Sequence, residues 1–382
     1  MRCICWSLLA LTLLSCNGSP RARVDPPPDP PGLEQELEAI RRKHDLPGLA
    51  AVVVRGGKVV SSAVAGVRRM SAGDPLRIGD RFHIASCTKS MTATLAAILV
   101  EEGRLQWTSR LADVLPELRS ARREYQGATL EQLLAHAARM PAYTQFGPER
   151  LEELKALRGS PTEQRLAFLS EVLAAEEPNE GTGDAAYSNV GYTAAAAMLE
   201  RAAGESWENL IQSRLIKPLG MTSVGFGWPA TSRTPDQPRG HFRRNGEIVE
   251  QPLDDSYLLP VVLWPAGAVN SSIGDLGRYA ADHLNGLLGR KALLPQAVYD
   301  KLHRTPDGAE QGFTLGWGVR RDARWGVLHY GAGSGGTFFV RIAIAPEHDV
   351  AVAVASNSGE AAAATREAME SLLAQPGPDG VK

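Results

Sequence analysis

The chain has 382 residues, of which 43% are hydrophobic and 22% are charged, and its formal net charge is −2. This length and composition suit a globular protein with a large core. The small net charge and the lack of a long basic block in the sequence argue against nucleic acid as a partner.

The N-terminal segment predicts export to the bacterial cell envelope. Behind Arg2 the chain is mostly apolar from Cys5 to Ser15, which is the length of a signal-peptide core and too short for a membrane-spanning helix. Residues 1–15 are therefore predicted to be a signal peptide. Residues 13–16, Leu-Leu-Ser-Cys, resemble a bacterial lipobox, and this resemblance implies cleavage before Cys16 and its lipidation. The alternative is an ordinary secretory signal, which predicts a secreted protein without a lipid anchor.

The predicted mature chain begins with a tether. Residues 16–32 are rich in proline and are expected to form an extended spacer between the lipid and the folded domain. The domain itself is predicted to span 33–375, and 376–382 is expected to be a flexible tail. Of the four cysteines, only Cys87 lies beyond this leader and tether, so no disulfide framework is expected in the domain.

The first elements of the domain are a helix and a hairpin. Apolar residues at helical spacing follow Leu33, and the alternating segments Leu49–Val54 and Lys58–Val64 flank the turn Gly56-Gly57. After Ser86 the apolar positions again follow a helical period, and the residues from about 105 to 300 are predicted to form an inserted, mostly helical lobe.

Strand signals return near the C-terminus. The chain predicts an α/β (α+β) fold: an antiparallel sheet flanked by helices, with the helical lobe inserted and the functional site in the cleft between them. The C-terminal predictions are strands at Thr314–Val319, Trp325–Tyr330, Thr337–Ala345 and Val350–Ala355, and a helix at Ala361–Leu373.

Ser86 and Lys89 form a Ser-x-x-Lys motif at the predicted start of a helix. Residues three apart on a helix stand roughly 5–6 Å apart at Cβ, so the Lys89 amine can take the proton of the Ser86 hydroxyl. Alone, the motif is equally compatible with a capped helix that carries a surface lysine.

A second motif is Tyr187-Ser188-Asn189, in a loop that leads into an alanine-rich helix. A phenol can relay a proton, and an amide can bind a substrate carbonyl. The structural alternative is a turn asparagine beside a core tyrosine.

A third motif, His329-Tyr330-Gly331, ends a strand and leads into the glycine-rich segment 332–336. Glycines let a substrate lie close to the backbone, and a strand N–H together with the Ser86 amide would form an oxyanion hole. A plain glycine-rich loop is the alternative.

Taken in order, these motifs resemble those of the serine β-lactamase and penicillin-binding protein superfamily. The branch is that of class C β-lactamases, DD-carboxypeptidases and related esterases, and it implies a β-lactamase/transpeptidase-like fold. The resemblance implies that Ser86 is the acylated nucleophile, Lys89 its base and Tyr187 the proton relay. The segments that carry it are residues 82–89, 133–136, 187–189, 218–221 and 315–318.

The resemblance also implies the substrate-binding residues. Asn189 would bind the substrate amide, and the backbone N–H groups of Ser86 and Ala332 would hold the oxyanion. His329 and Gly331 would line the substrate on the same strand.

Two positions depart from the family pattern. Many relatives that act on β-lactams or D-Ala-D-Ala carry Lys-Thr-Gly at the third motif, where this chain has the largely neutral His329 and the bulky Tyr330. Strong recognition of a substrate carboxylate is therefore not expected. Residues 137–139, Ala-Ala-Arg, replace the usual Thr-Ser-Gly, and the sequence gives Arg139 no role.

The sequence thus predicts a lipid-anchored periplasmic serine hydrolase for small esters, D-amino-acid peptides or β-lactams. No cofactor and no metal are expected, because His44, His136 and His283 lack paired ligand spacing. An α/β-hydrolase or dinucleotide-binding fold is disfavoured, since no helix follows the glycines at 331–336. The competing function is a non-catalytic or once-acylated envelope sensor that binds peptides or penicillin.

Overall fold

The computed structural model describes residues 32–182, 186–253 and 259–375. Within them, the largest element is a seven-stranded antiparallel sheet in the order β2-β1-β12-β11-β10-β9-β8. The strands are β1 Gly48–Arg55, β2 Lys58–Gly66, β3 Arg81–His83, β4 Gly225–Phe226, β5 His241–Arg244, β6 Glu247–Glu250, β7 Val269–Ser272, β8 Gly312–Phe313, β9 Gly318–Asp322, β10 Gly326–Ser334, β11 Phe339–Ala345 and β12 Val350–Ser356.

Helices cover both faces of this sheet. The helices are α1 Leu33–Lys43, α2 Thr88–Glu101, α3 Leu111–Val114, α4 Arg123–Gln126, α5 Leu130–Leu134, α6 Pro148–Ala156, α7 Pro161–Ala175, α8 Asn189–Ala203, α9 Trp207–Ile211, α10 Trp264–Gly267, α11 Ile273–Leu287, α12 Gln296–Leu302 and α13 Ala362–Ala374.

The central strands are apolar on both sides because each side is covered. In β1, Leu49 and Val53 belong to the core beneath α1 and α13, whereas Val52 and Val54 belong to the core shared with α2, α11 and the helical lobe. A strand buried on both faces has a nearly continuous apolar sequence. The larger of the two cores therefore joins the sheet to the lobe and fixes α2, which carries the candidate nucleophile.

The N-terminal predictions are confirmed. A helix begins at Leu33, and β1 and β2 form a hairpin across Gly56 and Gly57, whose φ angles are 56° and 70°. Two consecutive left-handed residues form the turn type that matches the twist of a two-residue hairpin. The predicted antiparallel sheet with flanking helices and a helix-rich lobe is also confirmed.

One C-terminal strand prediction is wrong. Residues 314–317 of the predicted strand Thr314–Val319 lie between β8 and β9, and only Gly318 and Val319 belong to a strand, because the chain bends at Gly316, where φ is 86°. A Cβ atom on Gly316 would lie 2.6 Å from the Ser90 Cα atom in α2. The bend therefore depends on close contact with the nucleophile helix, which strand periodicity does not reveal. The other C-terminal strands and the last helix are present, with bounds shifted by a few residues.

The region from 105 to 300 is less purely helical than predicted. Its short strands β7 and β4 form a second sheet with β3, which precedes the region, and β5 pairs with β6. In addition, α11 packs against the main sheet and forms part of the layer that contains α2. Strands of two to four residues give little periodic signal, so the sequence did not predict them.

The predicted signal peptide, Cys16, nearly all of the tether and the tail 376–382 lie outside the described residues. Among the helices of the described ranges, none combines the length and the apolar character needed to cross a membrane.

Candidate active site

Ser86 lies between the short strand β3 and the helix α2. β3 ends at His83, Ala85 to Cys87 form a 3₁₀ turn, and α2 begins immediately at Thr88. Ala85 has a φ of 44°, in the left-handed region that a residue with a side chain rarely adopts. This strained residue lets the chain leave the strand sharply and places the half-buried Ser86 at the helix entrance.

Lys89 lies one turn along and faces Ser86. Its Nζ atom is 3.4 Å from the Ser86 Oγ atom, 2.7 Å from the Asn189 Oδ1 atom and 2.8 Å from the Ala266 carbonyl oxygen. A neutral amine has two N–H bonds and one lone pair. Because Asn189 and Ala266 accept both N–H bonds, the lone pair of neutral Lys89 is left for the Ser86 hydroxyl.

Burial favours that neutral form. The Lys89 side chain is only 3% exposed, and its amine lies 4.6 Å from the centroid of the Tyr187 ring. Loss of hydration lowers the pKa of Lys89 from 10.5 to about 7. At neutral pH a large fraction of Lys89 is therefore already a base.

This pKa predicts the pH dependence of the reaction. We expect kcat/KM for an ester to fall about tenfold for each pH unit below 7, because only neutral Lys89 accepts the Ser86 proton. Above pH 7 the rate should level off. Initial rates at low substrate concentration between pH 5 and 9 test this. A profile that is flat from pH 5 to 7 would argue against Lys89 as the base.

Tyr187 reaches Ser86 from the helical lobe. Its hydroxyl donates a hydrogen bond to the Ser86 Oγ atom at 2.8 Å, and burial raises its pKa above the ordinary value of a phenol. Tyr187 therefore keeps its proton at physiological pH and is suited to donate it. The ring packs against the rings of His136 and Phe313, with centroid distances of 4.3 Å and 5.8 Å.

Asn189 begins α8 and bridges Lys89 to a neighbouring loop. Its Oδ1 atom accepts from Lys89, and its Nδ2 atom donates to the Tyr143 carbonyl oxygen at 2.7 Å. Its backbone N–H donates to the Ala142 carbonyl oxygen. In the described geometry Asn189 therefore orients the amine of Lys89. That Asn189 also binds a substrate amide stays a prediction, in which the second N–H of its Nδ2 atom would donate to the substrate.

Strand β10 completes the site on the side of the main sheet. A Cβ atom on Gly333 would lie 2.0 Å from the Ile84 carbonyl oxygen and 3.0 Å from the Ser86 amide nitrogen, so this position requires glycine. Gly331 faces the Cys87 sulfur, and Ala332, between the two glycines, is exposed. β9 pairs with β10 only as far as Tyr330, so the edge of β10 near Ser86 has no β9 partner beyond that residue.

His329 has a different set of contacts. Its ring lies 4.6 Å from that of His303, which in turn bonds to His283 through ring nitrogens 2.9 Å apart. Burial lowers the pKa of His329 to about 4, so its ring is neutral at pH 7. The structure therefore brings together Ser86, Lys89, Tyr187, Asn189 and the Gly331–Gly333 segment, and it packs His329 into a histidine cluster. The assignment of His329 to substrate binding stays a prediction.

Arg139, which had no role from the sequence, has a structural account. Its φ is 54°, in the left-handed region that favours glycine. Its carbonyl oxygen accepts the Asn179 N–H at 2.8 Å, and its guanidinium forms an ion pair with Glu180. Arg139 thus ties the loop after α5 to the segment that leads toward Tyr187.

Sequence reasoning missed three contributors. The carbonyl oxygens of Ala266 and Tyr143 hold Lys89 and Asn189, and backbone groups leave no mark in a sequence. His136 lies within the segment 133–136 that carries the family resemblance, but its spacing from other histidines indicated only that it is not a metal ligand. It is buried, and its ring nitrogen Nδ1 accepts the Ser188 N–H at 3.1 Å.

Comparison with known proteins identifies the family of this chain. The sequence model of the Beta-lactamase family matches residues 33–375. The chain belongs to the Beta-lactamase family. Family membership, with penicillin-binding proteins and an esterase among the relatives, supports a serine-hydrolase type of function.

Three curated relatives illustrate the range of the family. Penicillin-binding protein 4* of Bacillus subtilis (strain 168) is 29% identical over 193 residues, which are 50% of this chain but only 40% of that protein. Penicillin-binding protein 4 of Amycolatopsis lactamdurans is 26% identical and aligns over 90% of this chain and 89% of its own. Esterase EstB of Burkholderia gladioli is 26% identical, over 75% and 77% of the two chains.

Solved structures agree on the fold. A class C beta-lactamase superposes with a TM-score of 0.70 at 17% identity, covering 90% of this chain and 95% of its own. An octameric penicillin-binding protein homologue from Pyrococcus abyssi gives a TM-score of 0.71 at 23% identity, covering 89% and 76%. The predicted β-lactamase/transpeptidase-like fold is thereby confirmed.

Proposed function

We propose that this protein is a serine hydrolase that forms an acyl-enzyme on Ser86 and releases the acyl group to water. The observation that carries the proposal is the convergence of two groups on one hydroxyl: Tyr187 at 2.8 Å and Lys89 at 3.4 Å from the Ser86 Oγ atom. A nucleophile with a base and a proton donor in reach is the arrangement that acyl transfer requires.

Acylation follows from these distances. Neutral Lys89 takes the Ser86 proton while Oγ forms a bond to the substrate carbonyl carbon, and the carbonyl oxygen becomes an oxyanion. The backbone N–H groups of Ser86 and Ala332 stabilise it. Tyr187 gives its proton to the leaving group as the scissile bond breaks, and the proton held by Lys89 returns to the phenolate.

Deacylation uses the same groups in reverse. Water attacks the acyl carbon, its proton passes to the Tyr187–Lys89 pair, and Ser86 recovers its hydrogen as the acid product leaves. The two groups serve both half-reactions because each is protonated in one step and deprotonated in the other.

We propose short-chain esters as the preferred substrates, with D-amino-acid peptides and β-lactams as alternatives. Two features support this order. His329 is neutral and buried, and Tyr330 is bulky, so the third motif supplies no fixed cation for a substrate carboxylate. The relatives also include a protein named as an esterase.

A hydrolysis panel tests the proposal. It covers p-nitrophenyl esters, D-Ala-D-Ala peptides and nitrocefin with the purified mature chain, and we expect short-chain ester cleavage to be fastest. If nitrocefin were hydrolysed fastest, the substrate order would be reversed.

The same protein can be tested for the competing function, a non-catalytic envelope sensor. Exposure to a fluorophosphonate and to fluorescent penicillin, followed by intact-mass measurement over time, separates the outcomes. An enzyme labels on Ser86 with the fluorophosphonate and turns over its substrate, whereas a sensor keeps a stable penicillin adduct. Absence of any adduct and of any hydrolysis would contradict the proposed function.

We also propose that the protein is held in the periplasm by a lipid on Cys16. The apolar leader, the lipobox-like residues 13–16 and the proline-rich tether support this location. Membrane fractionation of the native protein beside a Cys16→Ala variant tests it, because only the parent should be recovered with membranes. Release of both into the soluble fraction would support the secreted alternative.

A further inference from the structure

His136 packs against the Tyr187 ring. The two ring centroids are 4.3 Å apart at an interplanar angle of 33°, and the His136 side chain is 7% exposed. The ring also lies near those of Tyr192 and Phe313, at 5.3 Å and 4.9 Å. The phenol therefore has a rigid aromatic neighbour on the side of the helical lobe.

A hydrogen bond links His136 to the peptide that follows Tyr187. The Ser188 N–H donates to the His136 Nδ1 atom at 3.1 Å, so the ring hydrogen is on Nε2. Burial, with a smaller contribution from the charge of Lys89, lowers the pKa of His136 to about 3. The ring stays neutral at working pH, and Nδ1 remains an acceptor.

The backbone of His136 aims the ring. The residue follows α5, whose first turn is closed by a reciprocal capping box between Thr129 and Gln132. His136 has a φ of 57°, a left-handed conformation that histidine and asparagine adopt more readily than most residues. The left-handed residue ends the helix and turns its side chain toward Tyr187.

We propose that His136 is a positioning residue that holds the Tyr187 hydroxyl in line with Ser86 by accepting the Ser188 N–H. The inference rests on the proposed function, in which Tyr187 protonates the leaving group. Without the acceptor, a buried N–H loses its partner, and the Tyr187–Ser188 peptide is free to rotate to find another. The phenol then leaves its 2.8 Å contact with the Ser86 Oγ atom.

Two substitutions separate the acceptor from the ring. In His136→Asn the Oδ1 atom occupies the place of Nδ1, and asparagine tolerates the left-handed backbone, so the acceptor is kept and the ring is lost. In His136→Phe the ring is kept and the acceptor is lost. Both variants are compared per active site, counted by fluorophosphonate labelling, so that a fraction of misfolded protein does not affect the rates.

The measurement is how kcat/KM depends on the leaving group of the ester. Two esters with the same acyl group are compared. In one the leaving group is p-nitrophenol, which departs without a proton, and in the other it is a simple alcohol, which must be protonated as it leaves. We expect His136→Phe to lower kcat/KM about 10- to 100-fold for the alkyl ester and about threefold or less for the aryl ester. His136→Asn should stay close to the parent with both.

Tyr187→Phe provides the reference. It should show the same selective loss with the alkyl ester, and adding His136→Phe to it should cost little more, because the two residues act as one unit. Equal losses with both esters, no loss in His136→Phe, or a His136→Asn variant as impaired as His136→Phe would each overturn the inference. If the parent hydrolyses neither ester, the proposed function itself fails, which is a different result.

Discussion

Replacing Ser86 with alanine is expected to abolish ester hydrolysis. The Tyr187 hydroxyl and the Lys89 amine both contact the Ser86 Oγ atom. Removing this atom leaves the base and the proton donor in place but takes away the nucleophile. When nucleophile and base act as a unit, the loss in kcat is about 10⁴-fold or more. The measurement is the initial rate with a p-nitrophenyl ester, compared with hydrolysis in buffer alone.

The fold should survive the substitution. Ser86 is half-buried, and alanine fits the 3₁₀ turn at the entrance of α2 without added volume. Thermal unfolding of the variant should therefore match that of the parent. The variant should also gain no mass on exposure to a fluorophosphonate.

Ser334 offers a matched control. It lies in the glycine-rich part of β10 and is exposed, and its local sequence narrowly misses a nucleophile elbow. Ser334→Ala should keep both labelling and hydrolysis. A Ser86→Ala protein that still hydrolyses esters at the parent rate, or a Ser334→Ala protein that does not, would refute the assignment of the nucleophile.

The sequence predicted the parts of the site that are local. Ser86 and Lys89 are one helical turn apart, so spacing alone places amine and hydroxyl together. The two groups that accept hydrogen bonds from the amine are distant in sequence: Asn189 lies 100 residues after Lys89, and Ala266 lies 177 residues after it. The Ala266 contact uses a backbone carbonyl, which every residue has, so no residue type marks it in the sequence.

The same distinction explains the fold. The hairpin of β1 and β2 was predictable because the turn residues Gly56 and Gly57 lie between its two alternating segments. The break at Gly316 was not, because its cause is a contact with the α2 backbone near Ser90. A local sequence pattern indicates which conformation a segment prefers. A close contact between segments that are distant in sequence depends instead on the packing of the whole chain.

Replacing Lys89 with alanine is expected to lower kcat by several orders of magnitude. General-base catalysis contributes typically 10²–10⁴-fold, and more where base and nucleophile act together. The dependence on pH should change as well: the fall in rate below pH 7 reflects Lys89 and should disappear from any residual activity. Steady-state kinetics with one ester across pH 5 to 9 measure both effects.

Two further measurements separate lost chemistry from lost structure. Lys89→Met fills the buried space with an uncharged chain of similar length, so it should be as inactive as Lys89→Ala while remaining folded. Both substitutions leave the Ala266 carbonyl oxygen without its donor, so thermal unfolding must be recorded for each.

In Lys89→Ala, the space left by the amine should admit a small primary amine, and added ethylamine should restore part of the rate. Rescue that increases with the concentration of the free-base form of ethylamine would identify proton abstraction as the lost step. A loss of only about tenfold, with no rescue, would instead assign the role of base to another group.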